Sequence, residues 1–336
     1  MNLTENFSLK NYNTFRIDAY AKYFGEFFSA DSLIEILRET KNIQKLILGG
    51  GSNILFTQNF DGIILKNSIP GINVINDDDE YVYIKAGAGV NWHQFVMYCV
   101  SRNFGGVENL SLIPGNTGAS PMQNIGAYGT EIKDVFFELE ALHIEENSLQ
   151  KFNNTECGFG YRDSVFKKKY KGQFVILNVT FRLKKNPVFN ISYGAIEEEL
   201  KKMDVEKLSI KAISDAVINI RKSKLPDPEL IGNAGSFFKN PEIDSHALDE
   251  LTRIDASVPN YKIDDDTFKI PAGWLIEERG WKGYRKGDAG CYQKQALVLV
   301  NYGQANGKEI YDLSQEIKHS VFEKFRISLE REVNIV

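Results

Sequence analysis

The sequence predicts strands and helices mixed in a chain of more than one domain, and three observations carry that reading. Its 336 residues exceed what one hydrophobic core of ordinary size organises, so two or three domains are expected. The first two hundred residues alternate between strand-like and helix-like apolar patterns. After about Lys185 the character changes: Asn186-Pro187 breaks the pattern, and helical signals follow.

Along the chain, Asp31–Lys41 is expected to be helical, with Ser32 and Glu35 spaced for a capping box and Leu33, Ile36 and Leu37 on one face. Lys45–Leu48 is a short apolar strand running into Gly49-Gly50-Gly51-Ser52-Asn53. Tyr81–Ala86 alternates like a strand, ends in Gly87-Ala88-Gly89, and precedes an amphipathic helix over Val90–Asn103. Val135–Ile144 and Phe174–Leu183 are rich in β-branched and aromatic residues and read as strands. Helices are expected at Ala195–Met203 and Ile210–Lys224, the second stopped by Pro226-Asp227-Pro228. A helical piece at Ala272–Arg279, a buried strand at Gln295–Asn301 and a long helix at Gly307–Phe325 follow. Ile327–Val336 reads as a strand returning to the first domain.

Composition narrows the function. Hydrophobic residues make up 43% and charged residues 25%, values of an ordinary folded protein. A net charge of -5 argues against a general nucleic-acid binder, though not against a local basic pocket. The three cysteines, Cys99, Cys157 and Cys291, form neither a disulfide framework nor a metal pair. No signal peptide opens the sequence and no run of 18 apolar residues spans a membrane, so a soluble cytoplasmic protein is expected.

Three glycine-rich loops hold the chemistry. The first, Leu48-Gly49-Gly50-Gly51-Ser52-Asn53-Ile54-Leu55, follows a strand directly, and glycines let a backbone approach a ligand and present N–H groups to an anion. It lacks the Gly-x-Gly-x-x-Gly fingerprint and the Lys-Ser/Thr of a P-loop. Gly303-Gln-Ala-Asn-Gly-Lys308 imitates a P-loop but is one spacer short and continues into Glu309. The second loop runs from Ile113 to Gly129, with Pro114, Gly115, Thr117, Gly118, Ala119, Ser120, Gln123, Asn124, Gly126, Ala127 and Tyr128. A loop of that length is uncommon without a function. Backbone and hydroxyl contact to a pyrophosphate and a flat ring system suits it, and the two loops together suggest a large cofactor lying across strand ends.

The third loop, Gly232-Asn-Ala-Gly-Ser-Phe-Phe-Lys-Asn-Pro241, sets the Ser236 hydroxyl among a lysine, an asparagine and two aromatics. A turn remains open for it. No Gly-x-Ser-x-Gly elbow supports a serine hydrolase. The four histidines, His93, His143, His246 and His319, show no metal-ligand spacing, and no lysine loop supports phosphoryl transfer. Chemistry driven by an organic cofactor is what remains.

These motifs together resemble the bacterial UDP-N-acetylenolpyruvoylglucosamine reductase (MurB) family. The matching stretches are Asn13-Thr-Phe-Arg-Ile, Leu48 to Leu55, Ile113 to Gly129, Cys157-Gly-Phe-Gly-Tyr-Arg-Asp-Ser-Val-Phe, Lys224-Leu-Pro-Asp-Pro and Gly232 to Pro241. Ala272-Gly-Trp-Leu-Ile, Gln295-Ala-Leu-Val-Leu-Val and Leu329-Glu-Arg-Glu-Val complete a series that spans nearly the whole chain in order. The resemblance implies an α+β fold, with an FAD-binding part of the vanillyl-alcohol-oxidase type and a C-terminal α+β substrate-binding domain. It implies FAD held non-covalently by the first two loops, since neither contains His or Cys, and NADPH as reductant. The expected domains are 1–205 for FAD, in two subdomains near 1–68 and 69–205 joined by the C-terminal strand 321–336, and 206–320 for substrate. Tyr193 and the region around Tyr261 match the longer type of the family, in which a tyrosine-bearing loop closes over the substrate.

The implied reaction reduces the enolpyruvyl group of UDP-N-acetylglucosamine-enolpyruvate to UDP-N-acetylmuramate. The resemblance makes Ser236 the proton donor and places Arg162 and Glu332 at the substrate carboxylate. Tyr193, Arg221, Lys224, Asn240, Tyr261, Lys269 and Gln295 stand at substrate-binding positions, with no metal required. Substrate and NADPH are expected to alternate at one site on a monomer, with no nucleic acid or membrane as partner. The chain reads Asn334-Ile335-Val336 after Glu332-Val333, where the family often continues with a basic residue, so the ordering of Glu332 is the point to check. Two other readings stand beside this one: an FAD oxidase using oxygen on a small alcohol, and a non-catalytic sugar-nucleotide binder.

Overall fold

A computed structural model describes residues 3–336. The chain forms two compact units: Met1–Phe7, Ala21–Gly50 and Asp61–Ser223 make the first, and Ser8–Tyr20, Gly51–Phe60 and Lys224–Val336 the second.

The first unit is built on two sheets. One has the order β1-β2-β5-β3, from β1 (Thr4–Ser8), β2 (Tyr20–Phe27), β3 (Lys45–Leu48) and β5 (Phe60–Asn67), with β3 and β5 parallel. Helix α1 (Ala30–Glu39) covers it, burying Leu33, Ile36 and Leu37 against Phe27, Ile63 and Leu65. Its cap is Ser29 rather than Ser32: the Ser29 hydroxyl accepts from the Ser32 N–H, and Ser32 answers from the third helical position. The capping box thus falls one turn before Ser32 and Glu35, because serine makes the return bond that glutamate was expected to make.

The second sheet is antiparallel, ordered β11-β10-β12-β7-β6, from β6 (Ile72–Asp77), β7 (Tyr81–Gly87), β10 (Phe136–His143), β11 (Leu149–Asn153) and β12 (Phe174–Lys184). Its core gathers Val82, Ile84, Leu139, Val179 and Phe181 against Trp92, Phe95 and Val96 of helix α2 (Trp92–Val100). That helix is shorter than Val90–Asn103, since the Asn91 side chain caps it by accepting from Gln94 N–H. A short α3 (Asn154–Cys157) follows β11. Helices α4 (Gly194–Lys202) and α5 (Ile210–Lys224) pack on each other through Ile196, Leu200, Ile213, Val217 and Ile220. The expected boundary near residue 205 lies between them, and α5 counts with the first unit as far as Ser223.

The second unit holds an antiparallel sheet ordered β13-β19-β18-β17, from β13 (Gly232–Ser236), β17 (Arg285–Lys286), β18 (Ala289–Cys291) and β19 (Val298–Asn301). A three-stranded sheet joins β14 (Glu242–Asp244), β16 (Thr267–Lys269) and β15 (Tyr261–Lys262), and helices α6 (Ser245–Ile254), α7 (Ala272–Glu277) and α8 (Gly307–Phe325) complete it. The P-loop look-alike is the N-terminus of α8: Asn306 Oδ1 accepts from Glu309 N–H and Glu309 Oε2 from Asn306 N–H, so the chain's own carboxylate fills the anion position. Ile327–Val336 forms only a short strand, β20 (Asn334–Ile335), parallel to β4 (Ile54–Leu55) of the same unit. No helix among the described residues is long and apolar enough to cross a membrane.

Candidate functional site

In the first unit the glycine loops abut. A Cβ on Gly50 would lie 2.8 Å from Asn116 Oδ1 and 2.9 Å from Gly115 Cα, so only glycine lets the two loops meet. A Cβ on Gly118 would lie 3.0 Å from Ala88 Cα, and there Gly118 N–H donates to Ala88 O over 3.0 Å. Thr117 and Ser120 are buried, their hydroxyls donating to Val90 O at 3.1 Å and Thr117 O at 2.7 Å. Leu48, Ile54 and Leu55 point into the core, the last two within the second unit. These side chains hold the fold, so what such positions offer a ligand is backbone. Glycines and main-chain amides of such loops fit a pyrophosphate joined to a flat ring.

Asn124 does more than line that loop. It is fully buried with φ 44°, a conformation asparagine tolerates better than most residues. Its amide nitrogen donates to Glu131 Oε2 and to Gly160 O, both at 3.0 Å, and its oxygen accepts from Lys133 N–H at 3.2 Å. Gly160 opens the turn that carries Arg162, closed by paired backbone bonds between Gly160 and Asp163 at 3.1 and 3.3 Å. Arg162 itself has φ 51° and donates through Nη2 to Gly126 O at 2.6 Å. Lys167 Nζ donates to Arg162 O and to Gln123 Oε1, each at 3.2 Å. Asp163, the acid beside Arg162, forms an ion pair with Lys168.

Around this turn cationic and phenolic groups collect. Arg221 Nε donates to Leu112 O at 3.2 Å, and the Tyr128 phenol lies near enough to Arg221 to influence its charge. Burial pulls the Arg221 guanidinium below its usual value, the Tyr128 contact opposes that, and Arg162 close by adds repulsion. Burial raises Tyr128, against the pull of Arg221. The Tyr193 ring, 52% exposed, meets the Tyr128 ring edge-on at 5.3 Å. Two guanidiniums close enough to repel each other, beside two phenols, make a place for an anion.

In the second unit Ser236 ends β13 and is exposed. The pairing with β19 slips between Asn233 and Ser236, a bulge of the kind that re-aims a side chain. Gly235 takes φ 69° there, and buried Asn233 shapes the turn by accepting from Gly235 N–H at 3.0 Å while donating to Ile231 O at 2.8 Å. Asn13 clamps its own motif, donating to Leu9 O and Ile17 O at 2.7 and 3.0 Å, and the next residue, Thr14, accepts from Asn233 N–H at 2.9 Å.

Glu332 lies one hydrogen bond from the serine's neighbour: its N–H donates to Phe237 O at 2.9 Å, and Lys239 N–H donates to Glu330 O at 2.9 Å. The residues after it are strapped down. Asn53 Nδ2 donates to Glu332 O at 3.3 Å, Asn334 N–H to Asn53 O at 3.1 Å, and Val336 N–H to Leu55 O at 2.9 Å. The ordering of Glu332 therefore does not depend on a longer tail.

The other expected substrate residues fall in the second unit. Asn240 Oδ1 accepts from Ala272 N–H at 2.9 Å, starting α7, and Gln295 Oε1 would lie 3.1 Å from a Cβ on Gly273. Lys269 pairs with Glu242 at 3.4 Å and sits opposite Tyr261, which is 63% exposed. Lys224 is exposed at the end of α5. Sequence reading passed over His93 and Asn190. His93 Nδ1 accepts from Leu112 N–H at 3.0 Å, and Asn190 Nδ2 donates to Gly129 O at 2.9 Å, holding the segment before Tyr193. A lone polar side chain whose partner is backbone far along the chain leaves no motif to find.

The fold and these loops define a class first: an FAD-binding oxidoreductase. An FAD binding domain model matches residues 26–147, and a model described as the C-terminal domain of UDP-N-acetylenolpyruvoylglucosamine reductase matches residues 227–336. The chain is 49% identical to a UDP-N-acetylenolpyruvoylglucosamine reductase of Flavobacterium johnsoniae and 50% identical to one of Amoebophilus asiaticus, with 100% of both chains covered in each comparison. It shares the fold of the reductase crystal structure from Thermus caldophilus, with a TM-score of 0.67 and 24% identity over 99% of this chain and 98% of that one. The chain belongs to the UDP-N-acetylenolpyruvoylglucosamine reductase family.

Proposed function

We propose that Ser236 is the proton donor in this protein's reaction, with Arg162 and Glu332 acting at the substrate carboxylate. As a family member the protein is an FAD-dependent reductase of peptidoglycan precursor synthesis, with UDP-N-acetylglucosamine-enolpyruvate and NADPH as substrates. FAD held by the glycine loops, once reduced by NADPH, would supply a hydride to the substrate's methylene carbon. The negative charge left on the adjacent carbon spreads into the carboxylate, so the protein must hold that carboxylate and protonate that carbon.

The observation that carries the assignment is the bulge at Ser236, an exposed hydroxyl on a backbone locked by Asn233 and by Leu297 O, which accepts from Phe237 N–H at 2.7 Å. A hydroxyl is a weak acid, so it serves only when held in place against a strongly basic carbon. The Arg162 fork suits a carboxylate, because its planar donors stabilise charge as it develops. Glu332, on a strapped segment, donates a hydrogen bond at the same end of the substrate when protonated. Residues 1–205 with the C-terminal strand carry the cofactor in this reading, and residues 206–320 carry the nucleotide, through Lys224, Asn240, Tyr261, Lys269 and Gln295; Arg221 and Tyr193 are further proposed substrate contacts. Substrate and NADPH use one site in turn, on a cytoplasmic monomer.

The test is a spectrum followed by an assay. The purified protein should be yellow, consume NADPH only when the enolpyruvyl substrate is present, and yield UDP-N-acetylmuramate. A colourless protein unable to bind FAD, or NADPH loss that needs only oxygen, would contradict this reading.

A further inference from the structure

We infer that His93 is a positioning residue: through Leu112 it sets the guanidinium of Arg221. The inference rests on the reading of Arg221 as a substrate contact, and it concerns what aims that contact.

Two helix faces frame Leu112. On α2, His93 and Met97 are one turn apart and share a face; on α5, Ser214 and Arg221 are two turns apart and share another. The segment Ser111–Leu112 bonds to both faces. The Ser111 hydroxyl hydrogen-bonds the Ser214 hydroxyl at 2.8 Å, and Ser214 also reaches Met97 Sδ at 3.9 Å. Leu112 is gripped at both ends of its backbone: N–H to His93 Nδ1 at 3.0 Å, and O from Arg221 Nε–H at 3.2 Å.

The grip has something to hold. Leu112 has φ 59°, and a leucine enters that left-handed region only when its surroundings force it. No glycine eases this turn, so side-chain bonds must keep it. Because Leu112 O takes the Nε–H of Arg221, it fixes one edge of the fork, with Tyr128 near enough to act on its charge. A released Leu112 would flip its peptide, move its carbonyl and let the guanidinium swing.

Nδ1 accepts a hydrogen bond here, so the neutral ring carries its hydrogen on Nε2. The required form is the neutral one, and burial together with Arg221 and Lys222 favours it. Asparagine places an oxygen near Nδ1, glutamine places one near Nε2, and phenylalanine places none.

The test uses the FAD-loaded enzyme and reads the dissociation constant for UDP-N-acetylglucosamine-enolpyruvate from the shift it causes in the flavin spectrum. Arg221→Gln, His93→Phe and His93→Gln should each weaken binding about tenfold or more, while His93→Asn stays within about threefold of the parent. Combining His93→Gln with Arg221→Gln should add less than about twofold to the Arg221→Gln effect, since both act through one fork. Circular dichroism and flavin content should match the parent for Gln and Asn, which keeps the test valid even where Phe fails to fold. Unchanged binding in Arg221→Gln overturns the reading of Arg221, and the inference with it. A weakened Arg221→Gln with an unaffected His93→Gln, equal losses in His93→Asn and His93→Gln, or additive losses in the double variant overturn the role of His93 alone.

Discussion

Arg162 and Ser236 are presented by opposite devices. Arg162 is itself left-handed, φ 51°, inside a two-residue turn, so the strain falls on the residue proposed to hold the substrate carboxylate. Ser236 is relieved of that burden: the neighbouring Gly235 takes φ 69° in a bulge, where a Cβ would find nothing within 4 Å. One site needs a clamp from outside the turn, and Asn124, Lys167 and the Gly126 carbonyl provide it. The other needs only a glycine and the local bonds of Asn233. The two proposed site residues thus sit on strained backbone in the first unit and on permissive backbone in the second.

Exchanging the devices tests the contrast. Arg162→Gly should lower turnover by roughly a hundredfold or more, because the carboxylate loses its fork. Its thermal stability should stay within about 1 kcal/mol of the parent, since relief of a left-handed non-glycine offsets the lost bond to Gly126. A drop of several kcal/mol in denaturant unfolding would show that the turn carries no strain. Next in size is Asn124→Ala, expected to cost about 3 kcal/mol, as it removes three hydrogen bonds made by a fully buried side chain, to Glu131, Lys133 and Gly160. It should also lower turnover through the Arg162 turn while Ser236 keeps its setting. The smallest effect belongs to Gly235→Ala, about 1 kcal/mol from conformation alone, read in the same unfolding experiment. A much larger loss there would mean the bulge is as tightly enclosed as the Arg162 turn.

Much of this was legible in advance for physical reasons. Helix Ile210–Lys224 and helix Gly307–Phe325 were marked by sustained periodicity and by end signals, proline after one and Asn306 with Glu309 before the other. Strands Phe136–His143 and Phe174–Lys184 were visible because both faces are largely buried and apolar. The outer strand Ile72–Asp77 was not, since most of its side chains are exposed and leave little apolar pattern. Gln295–Asn301 was read too long: Gln295 and Leu297 belong to a turn, in which Gln295 Oε1 accepts from Leu297 N–H at 3.3 Å. Motifs are what single out Ser236, Arg162 and Glu332 as the proposed site residues. Asn124, beside the Arg162 turn, Asn233, beside Ser236, and His93, bonded to Leu112, act across gaps in sequence or on plain backbone, where a single sequence carries no periodic signal.

The central claim is that Ser236 gives its proton to carbon after hydride transfer. Rapid-mixing measurement of the two half-reactions in Ser236→Ala addresses it directly. Flavin reduction by NADPH should proceed within about twofold of the parent, while reoxidation by the enolpyruvyl substrate should slow by roughly a hundredfold or more. Equal slowing of both half-reactions, or a normal second one, would contradict the account.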